Sequence, residues 1–286
     1  MKVLITGATG QLGKALIRTA PESVSVLALD RNALDITNEV KVHAEVKAWG
    51  PAVVINAAAY NHVDRAERER EECTKINEWG ARNLAAAVRA HGARLVHVST
   101  NYVFDGECPE PYDVTSRPAP LSHYGSSKLA GERAIQQLLG ERCVIFRTAW
   151  LYDKSGANFL NKMLDLMRKR RPLRVVFDQI GTPTSATSLA GAIWAASGRS
   201  DVHGLQHWTD TGLASWFDFA VAIHDEAHRQ GVLARPVPIV PIRTREYPTP
   251  AERPKYGVLD STYTYASLSL TPPHWRHNLA RTFDEA

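Results

Sequence analysis

The chain has 286 residues, 44% hydrophobic and 22% charged, the composition of a globular protein with a sizeable core rather than a disordered one. A net charge of +4, with no stripe of interleaved basic and aromatic residues, argues against a nucleic-acid partner and suits an anionic small molecule. Three scattered cysteines without a CxxC pair, no secretory leader after Met1-Lys2 and no apolar run near the roughly 20 residues of a membrane helix lead us to expect a cytoplasmic protein with no membrane partner.

In chain order, residues 2–6 read as a short buried strand, 7–13 as a glycine-punctuated turn and 11–20 as a helix. A second apolar run, 24–29, ends at Asp30. A helix-like stretch begins at Thr37 and closes near Trp49-Gly50-Pro51, and 52–57 is a third strand. Helical spacing resumes over 64–91, followed by a fourth strand (94–99), a helix (122–139) and a fifth strand (142–148). Short apolar runs alternating with longer helical segments predict βαβ units and an α/β fold with a doubly wound parallel sheet. After Thr148 the rhythm changes and prolines cluster between Arg235 and Pro254, so a smaller lobe is expected there. The run from Arg168 to Arg171 reads as solvated cations at a helix C-terminus.

Gly7, Gly10 and Gly13 have the spacing GxxGxxG between a first strand and a first helix, the setting of a dinucleotide-binding turn. Gly7 permits the tight turn, Gly10 lets the backbone approach a pyrophosphate, and Gly13 lets helix pack on strand; the helix N-terminus holds the anion. Asp30 lies seventeen residues beyond Gly13, where a carboxylate accepts ribose hydroxyls and favours NADH. Arg31 can instead pair with the 2′-phosphate of NADPH, so either cofactor is open. Residues 1–150 thus read as a Rossmann-type dinucleotide-binding domain. Residues 151–286 read mainly as a substrate-binding lobe, part of which is able to return to the sheet.

Tyr124 and Lys128 form YxxxK on the helix after the fourth strand, one turn apart on the same face. A free phenol has a pKa of about 10, and a nearby ammonium lowers it toward the working range. Lys128 is also placed to hold the nicotinamide ribose. Thr100 follows the fourth strand's carboxyl end, where ligands bind in open α/β sheets and a hydroxyl can meet a substrate carbonyl. A ketone reduction is the predicted chemistry. His62 and His97 lack metal-ligand spacing and read as structural.

With these residues in place the chain resembles the extended short-chain dehydrogenase/reductases, and within them the dTDP-4-dehydrorhamnose reductase family. The matching segments are GATGQLG (7–13), NAAAY (56–60), VDRAE (63–67), STNYVFDG (99–106), YGSSKLAGE (124–132), FRTAWLY (146–152), DQIGTPT (178–184) and YPTPAERP (247–254). The resemblance implies Tyr124 as proton donor assisted by Lys128 and Thr100. It implies cofactor contacts at Gly10, Gln11, Leu12, Asp30, Asp35, Ile36, Ala58, Ala59, Tyr60 and Asn61. It implies nucleotide-sugar contacts around Thr100, Asn101, Tyr124 and Trp150, with reduction at the carbon-4 ketone of dTDP-4-dehydro-L-rhamnose. Trp150 is expected as a sugar-facing platform, and Arg253 as either a diphosphate contact or a surface ion pair.

Two positions depart from the family. Asn101 stands where an aspartate is common, leaving the hexose open, although Asn101→Asp is expected to be tolerated. Ala15 stands where some relatives have a glutamate that helps bind magnesium at a dimer interface, so no metal is carried over; a homodimer remains possible. The alternatives are a related ketoreductase or epimerase of another nucleotide deoxyhexose, or a non-catalytic dinucleotide-binding regulatory subunit. Epimerases of this superfamily usually show VYG after the fourth strand, and dehydratases carry acidic residues beside the threonine; neither feature is present.

Overall fold

A computed structural model describes residues 1–169 and 171–284. The first half alternates strand and helix: β1 (Lys2–Thr6), α1 (Gln11–Arg18), β2 (Ser25–Leu29), α2 (Glu39–Trp49), β3 (Val53–Asn56), α3 (Val63–Ala66), α4 (Arg70–Thr74), α5 (Ala81–His91), β4 (Arg94–Thr100), α6 (His123–Leu139) and β5 (Cys143–Thr148). The second half is finer-grained, with β6 (Leu151–Tyr152), α7 (Phe159–Arg168), β7 (Leu173–Val176), β8 (Ile180–Gly181), β9 (Thr184–Ser185), α8 (Ala186–Ser197), β10 (Gly204–His207), β11 (Ala214–Ser215), α9 (Trp216–Arg229), β12 (Ile239–Ile242), α10 (Thr262–Leu268) and α11 (Trp275–Asp284).

Six parallel strands form the central sheet in the order β10-β5-β4-β3-β1-β2. The chain leaves β1 toward β2 and then returns past it to β3, so the winding reverses between β1 and β3. Ligands of open α/β sheets bind at such a crevice beyond the strands' carboxyl ends. Alternating side chains of each strand serve opposite faces. Val3 and Ile5 join Leu12, Leu16, Leu189 and Ile193 of α1 and α8, whereas Leu4 joins Val42, Val46, Leu84, Val88 and Ile135 of α2, α5 and α6. A third core, holding Met163, Phe219, Ile223, Trp275 and Leu279, unites α7, α9 and α11.

Local chemistry sets the boundaries. α2 begins two residues after Thr37, because Asn38 caps Lys41 N at 3.0 Å while Asp35 holds the Thr37 hydroxyl and amide. It ends at Gly50 in the left-handed region, φ 59°. The single helix expected over 64–91 is instead α3, α4, a π-helical turn (Lys75–Gly80) and α5. That turn points Asn77 inward, where its amide bonds both the N–H and the carbonyl of Tyr60. Arg168 ends α7 and pairs with Asp165, while Arg170 lies outside the described residues.

Candidate active site

Residues 7–13 join β1 to α1, and steric demands explain its glycines. Gly7 has φ 72°, and a Cβ there would lie 2.6 Å from Ala58 N. A Cβ on Gly13 would lie 2.3 Å from Gly7 O, so this position lets α1 close on the turn itself rather than on the strand. A Cβ on Gly10 would meet only Gly7 O, at 3.3 Å, leaving the outer face of the turn open beside the α1 N-terminus. Such a cradle, with backbone N–H groups facing out, fits a dinucleotide pyrophosphate.

The neighbouring residues divide by what their side chains already do. Leu12 and Ile36 are core residues, 5% and 4% exposed, so only their backbones can face a cofactor. Gln11 spends its amide on the lobe, donating to Leu151 O at 3.1 Å and accepting from Asn158 Nδ2 at 3.1 Å. Asp30 Oδ1 accepts from Ala33 N at 2.9 Å, which leaves a carboxylate at the end of β2 able to meet a ribose. Arg31 is exposed and pairs with Glu72 at 2.8 Å, a contact worth little enough for the guanidinium to swing to a phosphate. Ala58 and Ala59 are half-buried, and Asn61 is exposed at the mouth of the crevice. The Tyr60 phenol donates to Glu69 at 2.5 Å, and burial first, then Glu69, pushes it up to about 12, so its side chain braces the loop.

At the far side of the crevice, Ser122 caps α6 by accepting from Gly125 N at 3.2 Å. A Cβ on Gly125 would lie 2.1 Å from Tyr102 O, so its absence lets the first turn of α6 close on the segment after Thr100. Tyr124 is thereby brought beside Thr100 and Asn61, its phenol 3.4 Å from Asn61 Oδ1. Burial pushes the phenol upward, and a hydrogen bond with Thr100 partly opposes it. The expected lowering by Lys128 is not what this site displays: burial dominates, Thr100 rather than Lys128 opposes it, and the protonated phenol is the favoured form. Lys128 is 2% exposed, and its Nζ donates to Val98 O at 2.6 Å, one turn below Tyr124. Burial pulls it down to about 8, against the opposing pull of Glu132.

Several partners carry no signal in the sequence pattern. Glu132 continues the Tyr124–Lys128 face of α6, and Arg147 Nη2 binds it at 2.6 Å with both groups almost fully buried; Ser99 Oγ also donates to it. His97, expected to be structural only, has Nε2 3.4 Å from Lys128 Nζ. His62 is exposed beside the Tyr60 ring. Asn101 donates from Nδ2 to Gly257 O at 2.8 Å and is 2% exposed. A carboxylate cannot make that bond, so the expected tolerance of Asn101→Asp is withdrawn.

Trp150 has φ 45° and stacks on Trp216 with centroids 3.6 Å apart, while Gly181 crowds its indole from the backbone side. The ring is thus packed on a protein partner and offers substrate its remaining surface rather than a bare face. Arg253 is an ion pair: Nη2 meets Asp64 at 2.8 Å and Nη1 meets Ala251 O at 2.9 Å. Ala15 is fully buried, and among the described residues no cluster of three His, Cys, Asp or Glu could hold a metal ion.

A glycine turn opening α1, a threonine ending β4 and a YxxxK helix, on a doubly wound sheet, define a short-chain dehydrogenase/reductase of the extended type. The family model described as the RmlD substrate binding domain matches residues 1–286, and the chain belongs to that family. A protein of Aggregatibacter actinomycetemcomitans named dTDP-4-dehydrorhamnose reductase is 41% identical, the match covering 97% of each chain. The crystal structure of dTDP-4-dehydrorhamnose reductase from Bacillus anthracis str. Ames in complex with NADP has a TM-score of 0.94 at 40% identity, covering 100% of this chain and 99% of that one. A Streptomyces niveus protein named dTDP-4-keto-6-deoxy-D-glucose reductase is 39% identical, covering 98% of this chain and 96% of its own.

Proposed function

We propose that the chain is an NAD(P)H-dependent reductase of a nucleotide-sugar ketone, converting dTDP-4-dehydro-L-rhamnose to dTDP-L-rhamnose with Tyr124 as proton donor. The observation that carries this reading is the packing of the first turn of α6 on the segment after Thr100, which sets the Tyr124 phenol beyond the carboxyl end of β4 and 3.4 Å from Asn61 Oδ1. Gly7, Gly10 and Gly13 would cradle the dinucleotide pyrophosphate, and Asp30 or Arg31 would read its adenosine ribose. We place cofactor binding in residues 1–150 and sugar-nucleotide recognition mainly in 151–286. A reduced nicotinamide bound there supplies the hydride for carbon 4. Thr100 holds the ketone oxygen, and the Tyr124 phenol, kept protonated by burial, gives that oxygen its proton as negative charge develops. Lys128, positively charged below about pH 8, stabilises the phenolate left behind.

Asn101 supports a second reading within the same chemistry, a different dTDP-4-keto-6-deoxyhexose, since the Streptomyces niveus relative is named for one. The reading places the enzyme in the cytoplasm, as a monomer or homodimer without nucleic-acid or membrane partners. Among the described residues no helix is long and apolar enough to cross a membrane. The test is Tyr124→Phe, which keeps the ring and removes the proton: turnover falls by about 10²–10⁴ while NADPH affinity changes less than about threefold. Turnover within a few-fold of the parent would refute the role of Tyr124.

A further inference from the structure

Beneath the crevice lies a buried polar chain that the reduction itself does not require. Thr6 Oγ1 donates to Asn56 Oδ1 at 2.7 Å, and the backbone N–H of Ala58 donates to the same atom at 3.1 Å. A backbone N–H can only donate, so this end of the Asn56 amide is its oxygen. The amide nitrogen therefore faces His97 Nδ1, at 3.0 Å, and His97 Nδ1 must accept. His97 is 1% exposed and is held neutral, its pKa pushed well below the ordinary value by burial and then by Lys128. A neutral imidazole carries one proton, and with Nδ1 accepting, that proton sits on Nε2. Nε2 is 3.4 Å from Lys128 Nζ.

The imidazole thus presents an N–H, not a lone pair, to the lysine. An ammonium there meets the positive end of a bond dipole, whereas a neutral amine gains a donor. We propose that His97, with its tautomer fixed by Asn56, is a positioning residue that weakens the hold of Lys128 on its proton and so sets the alkaline limit of the reduction. This rests on the assignment of Tyr124 and Lys128 made above. Val98 O on β4 favours the ammonium, as do Glu132 on α6 and the Cys73 thiol on α4, while Tyr124 lies one turn before it. Glu132 is shared with Arg147 of β5 and Ser99 of β4, burial opposes the charge, and the His97 N–H, 3.4 Å from Nζ, adds to that opposition by its orientation.

Two variants of the chain test this. His97→Asn places an amide oxygen near the former Nδ1, so Asn56 keeps its acceptor while the N–H toward Lys128 is lost. His97→Phe keeps the ring volume without either nitrogen, and serves should the first variant fold poorly. The Lys128 Nζ titration is followed by NMR in the unliganded enzyme, assigned by comparison with Lys128→Arg, and the pH profile of kcat/KM is measured beside it. Both the Lys128 midpoint and the alkaline limb are expected to move up by about one pH unit, with kcat near neutrality within a few-fold of the parent. A midpoint and limb that stay in place or move down would overturn the proposal while leaving the reductase reading intact. If the parent reduces no nucleotide sugar, the reductase reading fails, and the NMR midpoint alone decides the role of His97.

Discussion

Single side chains in this crevice act through hydrogen-bond capacity more than through charge. Asn101 illustrates the point, because its amide N–H binds Gly257 O on the segment that also pairs with Ile180. An aspartate at 101 would set a carboxylate oxygen 2.8 Å from a carbonyl oxygen in a site 2% exposed, at a cost of about 2–4 kcal/mol. Asn101→Asp is therefore expected to lower Tm by several degrees and to raise KM for the nucleotide sugar at least tenfold at neutral pH. A parental Tm and KM would show that the Gly257 contact carries no weight. Ionisation follows the same logic, since Tyr124 is kept protonated by burial whereas Lys128 is drawn toward neutrality by it.

Elements were readable from sequence where one physical rule dominated. Fully buried parallel strands show as continuous apolar runs, and the glycine turn follows from the close approach of α1 to residues 7 and 8. Gly13→Ala would place a methyl group 2.3 Å from Gly7 O, so NADPH affinity measured by fluorescence titration should fall at least tenfold. Gly191→Ala, in α8 with open space around it, should leave that affinity unchanged; equal effects at both sites would contradict the steric account. Legibility failed where one polar residue redirects a helix. The π-helical turn that aims Asn77 at the Tyr60 backbone leaves the apolar spacing of 64–91 nearly intact, so the pattern reads as one helix. β10 was hidden for a different reason: Gln206 and His207 are buried polar residues, so Gly204–His207 has no apolar run despite pairing with β5.

At the scale of the whole molecule, three buried groups among the described residues, His207, His97 and Asp210, carry opposing parts of the acid response. Burial lowers His207 to about 4 and holds His97 well below its ordinary value, so both add stability above pH about 6.5 that is lost as pH falls toward 4. Asp210, raised by burial to about 6, has the opposite sign, contributing below its unfolded value and losing that contribution as pH rises through 6. The two histidines oppose the single aspartate, and the lowered carboxyls of Asp64 and Asp105 act in the same direction as the histidines, so Tm should decrease from pH 6.5 to 4; a flat or rising Tm would contradict the neutral assignment of these histidines. The fold links this buried frame to chemistry by bringing β4, α6 and the glycine turn to one crevice, where a cofactor and a keto sugar meet. The most direct test supplies dTDP-4-dehydro-L-rhamnose, generated in situ, and follows NADH and NADPH oxidation with the product identified by NMR. One cofactor oxidised per dTDP-L-rhamnose formed is the predicted result. A bound dinucleotide that is never oxidised by this or any other dTDP-4-keto-6-deoxyhexose would contradict it.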